Sequence, residues 1–165
     1  MHTREDENHW RWYLADLEKL GYNDQKVGFV SSLRFIWSDS TIQTRLLSYQ
    51  MCRLGFRATS IRKLVLVHCI EAAGKVTVSQ VAAVGTEFGA LTGKRLVYLG
   101  QHHSDTEGDH TLEDVDVHRT IEEIALEPEM VPELLALVDE TFGYFKAFTD
   151  DALAAAKRER WIDPS

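Results

Sequence analysis

The stretch SIRKLVLVHCIEAA, residues 60–73, has the residue spacing of an amphipathic helix. Apolar side chains recur at intervals of three and four, beginning with Ile61, Leu64 and Val65, and Ser60 is a suitable N-cap. The same spacing continues along most of the chain, and no proline occurs before Pro128. Because proline interrupts regular structure and marks turns, its absence from so long a stretch favours a helical protein.

We therefore predict an all-α fold, a bundle of six to eight helices in a single domain that spans residues 1–165. One segment, 75–92, is ambiguous because Val76 and Val78 also suit a short strand; we take it as helical. The other helices are predicted over about 4–20 and 24–37, from 39 or 40 to 54, from 60 onward, from 94 to 110, over 113–126 and from 132 to about 157.

Charge and composition argue against several classes of function. The chain of 165 residues has 26 acidic and 18 basic side chains, a net charge of −8, so binding to nucleic acid is not expected. No run of about 18 apolar residues occurs, which argues against a membrane span. The charged N-terminus does not resemble a signal peptide, and two isolated cysteines suit a reducing compartment, so we expect a cytoplasmic protein.

The segment QHHSDTEGDH, residues 101–110, has the most specific pattern in the chain. On a helix, His103, Glu107 and His110 stand at i, i+4 and i+7, within roughly 60° of one another around the axis. Two imidazoles and a carboxylate on one stripe suit Fe(II), Mn(II) or Zn(II). The alternative is a solvated polar turn, which the neighbouring acidic residues and Gly108 would also suit.

Two further positions are candidate ligands, each with a structural alternative. Glu71 follows His68 by three residues in an apolar stretch, and would either ligate a metal or pair with Arg53 or Arg57. His9 lies beside aromatic residues that we expect to face the core, and would be either a ligand or a packed core histidine. Helical bundles build metal sites from histidines and carboxylates that project inward from separate helices.

Three stretches together resemble the heme-oxygenase-like diiron oxidases and oxygenases, also called iron-containing redox enzymes. HWRWYLADLEKLG (9–21) resembles the first ligand helix of that family, IEAAGKV (70–76) its middle carboxylate helix, and YLGQHHSDTEGDH (98–110) its His-x3-Asp/Glu-x2-His signature. The three stretches cover about a fifth of the chain. The resemblance implies a heme-oxygenase-like helical bundle.

The resemblance also implies a site and a chemistry. His103, Glu107 and His110 would be iron ligands, Glu71 the carboxylate shared between irons, and His9 the imidazole from the first helix. The family expects a carboxylate about two turns before that imidazole; this chain has His2 there, and Glu5 or Asp6 would substitute. About two irons, cycling between Fe(II) and Fe(III), would use O₂ as co-substrate. The substrate would be a small amino acid or fatty acid derivative, with an external reductant.

Other residues bear on the substrate and the assembly. Tyr13 stands four residues after His9 and is a candidate catalytic side chain, as hydrogen-bond donor or redox partner. Between Asp39 and Glu71 no acid occurs, so an arginine there would hold a substrate carboxylate or contribute to a basic surface. We expect a homodimer. The competing functions are a non-catalytic or metal-free helical dimer that acts as a scaffold, a heme-binding relative and a ferritin-like iron store.

Overall fold

In the computed structural model, which describes residues 9–22, 28–109 and 115–158, all regular secondary structure is helical. The all-α prediction is confirmed over these ranges. The α-helices are α1 (His9–Lys19), α2 (Phe29–Ile36), α3 (Ile42–Gly55), α4 (Ser60–Thr92), α5 (Gln101–Asp109), α6 (Val115–Glu122) and α7 (Val131–Arg158). Short 3₁₀ turns at Asp39–Thr41 and Pro128–Met130 precede α3 and α7.

The ambiguous segment 75–92 is helical, and it continues the preceding helix without a break, so that α4 has 33 residues. The hydroxyl of Thr59, rather than that of Ser60, accepts the amide hydrogen of Arg62 in the first turn, at 3.5 Å. By length and composition alone, α4 is long and apolar enough to cross a membrane. The sequence did not indicate this, because polar residues interrupt its apolar runs. Long core helices of soluble proteins have the same property.

The helix predicted from residue 94 onward begins seven residues later, at Gln101, so that part of the prediction is wrong. Gly93 has a positive φ of 71° and ends α4, with its amide donating to the carbonyl of Gly89. The carboxylate of Asp16 then accepts the amide hydrogens of Val97 and Leu99. Since these amides bind a side chain of α1, residues 93–100 follow an irregular path.

The chain divides into two compact units. Unit 1 is Met1–Lys26 with Gly74–Ala125, and unit 2 is Val27–Ala73 with Leu126–Ser165. The helix α4 contributes its first part to unit 2 and its second part to unit 1.

Unit 2 is centred on three leucines from three helices. Leu54 of α3, Leu66 of α4 and Leu137 of α7 are buried together, and Tyr144 packs against them. The hydroxyl of the buried Thr141 donates to the carbonyl of Leu137 at 2.7 Å, so this polar group is satisfied within its own helix.

In unit 1, α4 and the 93–100 segment approach at backbone distance. A Cβ atom added at Gly85 would lie 1.8 Å from the carbonyl oxygen of Leu99 and 3.2 Å from the Cα of Gly100. Only a residue without a side chain allows this contact. Leu96, in the same segment, is buried.

Replacing Gly85 by alanine should therefore lower the free energy of unfolding by about 1–3 kcal/mol, because backbone atoms cannot rotate away from the added methyl group. Gly74 on the same helix is the matched control, since a Cβ there would meet nothing within 4 Å. At Gly74 the alanine should stabilise the protein by about 0.5–1 kcal/mol through helix propensity. Denaturant unfolding followed by circular dichroism measures both; equal effects at the two positions would contradict the close approach.

The core-facing side of α1 differs from the prediction. Trp10 and Tyr13, expected to face the core, are 57% and 42% exposed. The side of α1 that faces the rest of unit 1 instead carries His9, Trp12 and Asp16, spaced by three and four residues. The hydrogen bonds of Asp16 set this orientation, which hydrophobic spacing alone did not indicate.

Candidate metal centre

His103 lies in the first turn of α5 and is 4% exposed. Its Nδ1 atom is 2.9 Å from the carbonyl oxygen of Tyr98. Because a carbonyl oxygen only accepts, Nδ1 carries the proton and donates it in this bond. In the neutral ring the lone pair then lies on Nε2. Histidines ligate metals through the ring nitrogen that carries the lone pair.

His9, from the first turn of α1, lies against the same ring. The ring centroids of His9 and His103 are 4.8 Å apart, with 72° between the ring planes. The Nε2 atom of His9 is shielded from solvent. The structure thus brings together two imidazoles that are 94 positions apart in sequence, and a shared metal site there stays a prediction.

Aromatic side chains surround the two histidines. Tyr98 stacks on His103 with centroids 4.3 Å apart and a tilt of 26°, and the ring of Trp12 lies 4.9 Å from that of His9. The neighbouring His102 is exposed and packs against Trp12 at 5.0 Å. These rings limit the access of water to the imidazoles and leave few alternative ring positions for them.

The structure connects Tyr13 to the site through another aromatic residue. Its ring contacts Tyr98, 5.3 Å away and nearly perpendicular, and Tyr98 in turn stacks on His103. Sequence reasoning missed Tyr98, although it stands five residues before His103, because the helix predicted from residue 94 would have directed it away from that ring. The irregular 93–100 segment places it there.

The position of His103 depends on Asp16. This carboxylate is 0% exposed, and it accepts the amide hydrogens of Val97 at 2.8 and 2.9 Å and of Leu99 at 3.0 Å. Lys19 donates to the carboxylate at 3.2 Å and to the carbonyl of Arg95 at 2.8 Å. Asp16 thereby attaches α1, which carries His9, to the segment that leads into α5.

Three of the predicted ligands fall outside what the structure describes. Glu5 and His110 lie outside the described residues, and Glu107 belongs to α5 but its side chain is not described. Within the described ranges, no group of three or more histidine, cysteine, aspartate or glutamate side chains is arranged to hold a metal. The described part of the candidate centre is therefore the imidazole pair of His9 and His103.

Glu71 belongs to unit 2, where it does not form the expected ion pair with Arg53. Its side chain is 39% exposed, and its neighbour is His68, with Nδ1 3.9 Å from Oε2. Arg53 does not pair with it, because that guanidinium binds Glu140 and Tyr144 of α7. The hydrogen bond that Arg53 donates to the carboxylate of Glu140 is the main reason that the pKa of Arg53 is raised. The role of Glu71 as a ligand remains a prediction from the resemblance.

Several basic side chains between Asp39 and Glu71 bind partners within unit 2. Arg53 and Arg62 make ion pairs with Glu140 and Glu133 of α7, and Arg45 donates to carbonyls at the end of α2. Three cations of the segment therefore link helices of unit 2 to one another. This favours a structural role for them over the binding of a substrate carboxylate.

The two cysteines differ in their surroundings. Cys69 is buried, and burial raises the pKa of its thiol, which keeps the thiol protonated and unreactive. Cys52 is exposed.

Comparison with known proteins does not assign this chain to a group: no family model matches it, and no curated protein matches it.

Proposed function

We propose that the protein is a nonheme iron oxidoreductase with a heme-oxygenase-like helical fold, which uses O₂ to oxidise a small carboxylate-bearing substrate. The observation that supports it best is the contact between the rings of His9 and His103 at 4.8 Å. The bond from His103 Nδ1 to the Tyr98 carbonyl adds to it, because metal-ligating histidines typically donate their second ring N–H to such a group.

The donor set fits iron. Imidazole nitrogens suit divalent iron, and a second type of ligand, a carboxylate, is expected from Glu107 or Glu5. His110 completes the set that the resemblance implies. Iron bound there would supply the redox chemistry with O₂, and the resemblance implies a capacity of about two irons per chain.

The chain's own residues have separate tasks in this proposal. His9 and His103 would hold the metal through ring nitrogens, and the Tyr98 carbonyl keeps the proton of His103 on Nδ1. Tyr98 and Trp12 cover the imidazoles and exclude water. Tyr13, which is exposed and contacts Tyr98, would pass electrons or a proton between solvent and the stacked pair.

The test is iron content after anaerobic loading with Fe(II), measured by elemental analysis with Mössbauer spectroscopy before and after exposure to O₂. We expect about two irons per chain and oxidation of both by O₂. The control is the same protein loaded in the presence of a chelator. One iron per chain would overturn the two-metal assignment, and no retained iron would overturn the function as a whole.

One observation favours the alternative, a non-catalytic helical dimer that acts as a scaffold. Large apolar side chains are exposed along α2, among them Phe29 at 77%, Val30 at 59% and Phe35 at 60%. Side chains of this kind commonly mark protein interfaces. A homodimer is part of both proposals, so the iron measurement, and not the oligomeric state, distinguishes them.

A further inference from the structure

A second location in unit 1 has the properties of a binding site. A cavity of about 310 Å³ lies between α4 and the segment that leads into α5. On the α4 side its wall includes Gly85 and Gly89, and Gly93 lines it just after the helix ends.

The opposite wall is cationic. Lys94 and Arg95 line the cavity, together with the polar side chains of Gln101 and His102, and none of the described residues that line it is acidic. This is unusual in a chain whose net charge is −8. Two adjacent cations on a cavity wall favour an anionic occupant.

Both cations carry N–H groups that can donate hydrogen bonds to an anion. The ammonium of Lys94 donates to the carbonyl of Lys19 at 2.6 Å, which uses one of its three hydrogens. Arg95 is exposed, and its planar guanidinium can bind a carboxylate or phosphate through two parallel hydrogen bonds.

We propose that this cavity binds a small organic anion, a carboxylate or a phosphate monoester, at the part of its wall that Lys94 and Arg95 form. Its volume is at the lower end of the range for small-molecule pockets, about 300–1,000 Å³, so the ligand is a compact molecule. The inference is independent of the proposed iron chemistry, because the cavity and its charges involve none of the proposed metal ligands.

The test is a titration of the metal-free full chain with phenyl phosphate, with benzoate and with the neutral benzamide, followed by backbone amide NMR. We expect shifts concentrated at Gly89, Gly93 and their neighbours with the anions, and none with benzamide. Binding by only one of the anions identifies the preferred head group. Shifts of equal size with benzamide, or no shifts with either anion, would overturn the proposal.

Charge variants make the test specific. Arg95→Gln should weaken anion binding about tenfold, the loss of one charged contact. Arg11→Gln is the matched control, since Arg11 is also exposed in unit 1 but stacks over Trp10, away from the cavity lining. The control should bind the anions like the unaltered chain. If both variants weaken binding equally, the anions respond to overall charge and not to this cavity.

Discussion

Replacing Asp16 by alanine should lower the free energy of unfolding by about 3 kcal/mol, because it removes the acceptor of two backbone amides within unit 1. Val97 and Leu99 have half-buried amides that donate to this carboxylate at 2.8–3.0 Å. Each amide left without an acceptor in such surroundings costs about 1–3 kcal/mol. Lys19 also loses its charged partner.

The matched control is Glu18→Ala. Glu18 lies two residues away on the same helix and is exposed, so its removal changes the charge by the same amount without opening a buried contact. We expect a change of no more than about 0.5 kcal/mol in denaturant unfolding. Asp16→Asn keeps the shape and one acceptor oxygen, and should fall between the two. If all three variants unfold alike, Asp16 does not anchor the 93–100 segment.

The helical class of the protein follows from its residue spacing, but the arrangement of its polar contacts does not. Apolar residues at intervals of three and four predicted helices where α3, α4 and α7 lie, because local spacing and helix formation are governed by the same period. Asp16 was not recognised, since its partners are 81 and 83 residues away and no local pattern predicts which distant amides a carboxylate will meet.

The same limit applies to the candidate centre. The spacing of residues 101–110 identified His103 as a ligand candidate. That prediction assumed a continuous helix from residue 94, whereas the helix begins at Gln101. His103 is nevertheless buried, because Asp16 and Gly85 hold the irregular segment against α1 and α4. The resemblance led us to expect His9 near His103. The stacking of Tyr98 on His103 could not be predicted, because it depends on the irregular path of residues 93–100.

Replacing His103 by alanine should abolish most of the tightly bound iron while the helical content stays unchanged. Loss of a group that only orients a ligand weakens metal binding by about 10–100-fold, so loss of the ligand itself should exceed that range. Iron per chain after loading and gel filtration measures the effect, and circular dichroism reports on the fold. Because His103 is buried, His103→Gln is the second variant, which keeps most of the side-chain volume.

The control comes from the adjacent residue. His102 is exposed and its ring faces Trp12, so His102→Ala removes an imidazole one position away without altering the pair of His9 and His103. If iron is held by the buried pair, His102→Ala retains it and both His103 variants lose it. If iron is bound loosely by surface imidazoles, the two positions behave alike. Full retention of iron by His103→Gln in a folded protein would show that His103 is a packed core histidine and not a ligand.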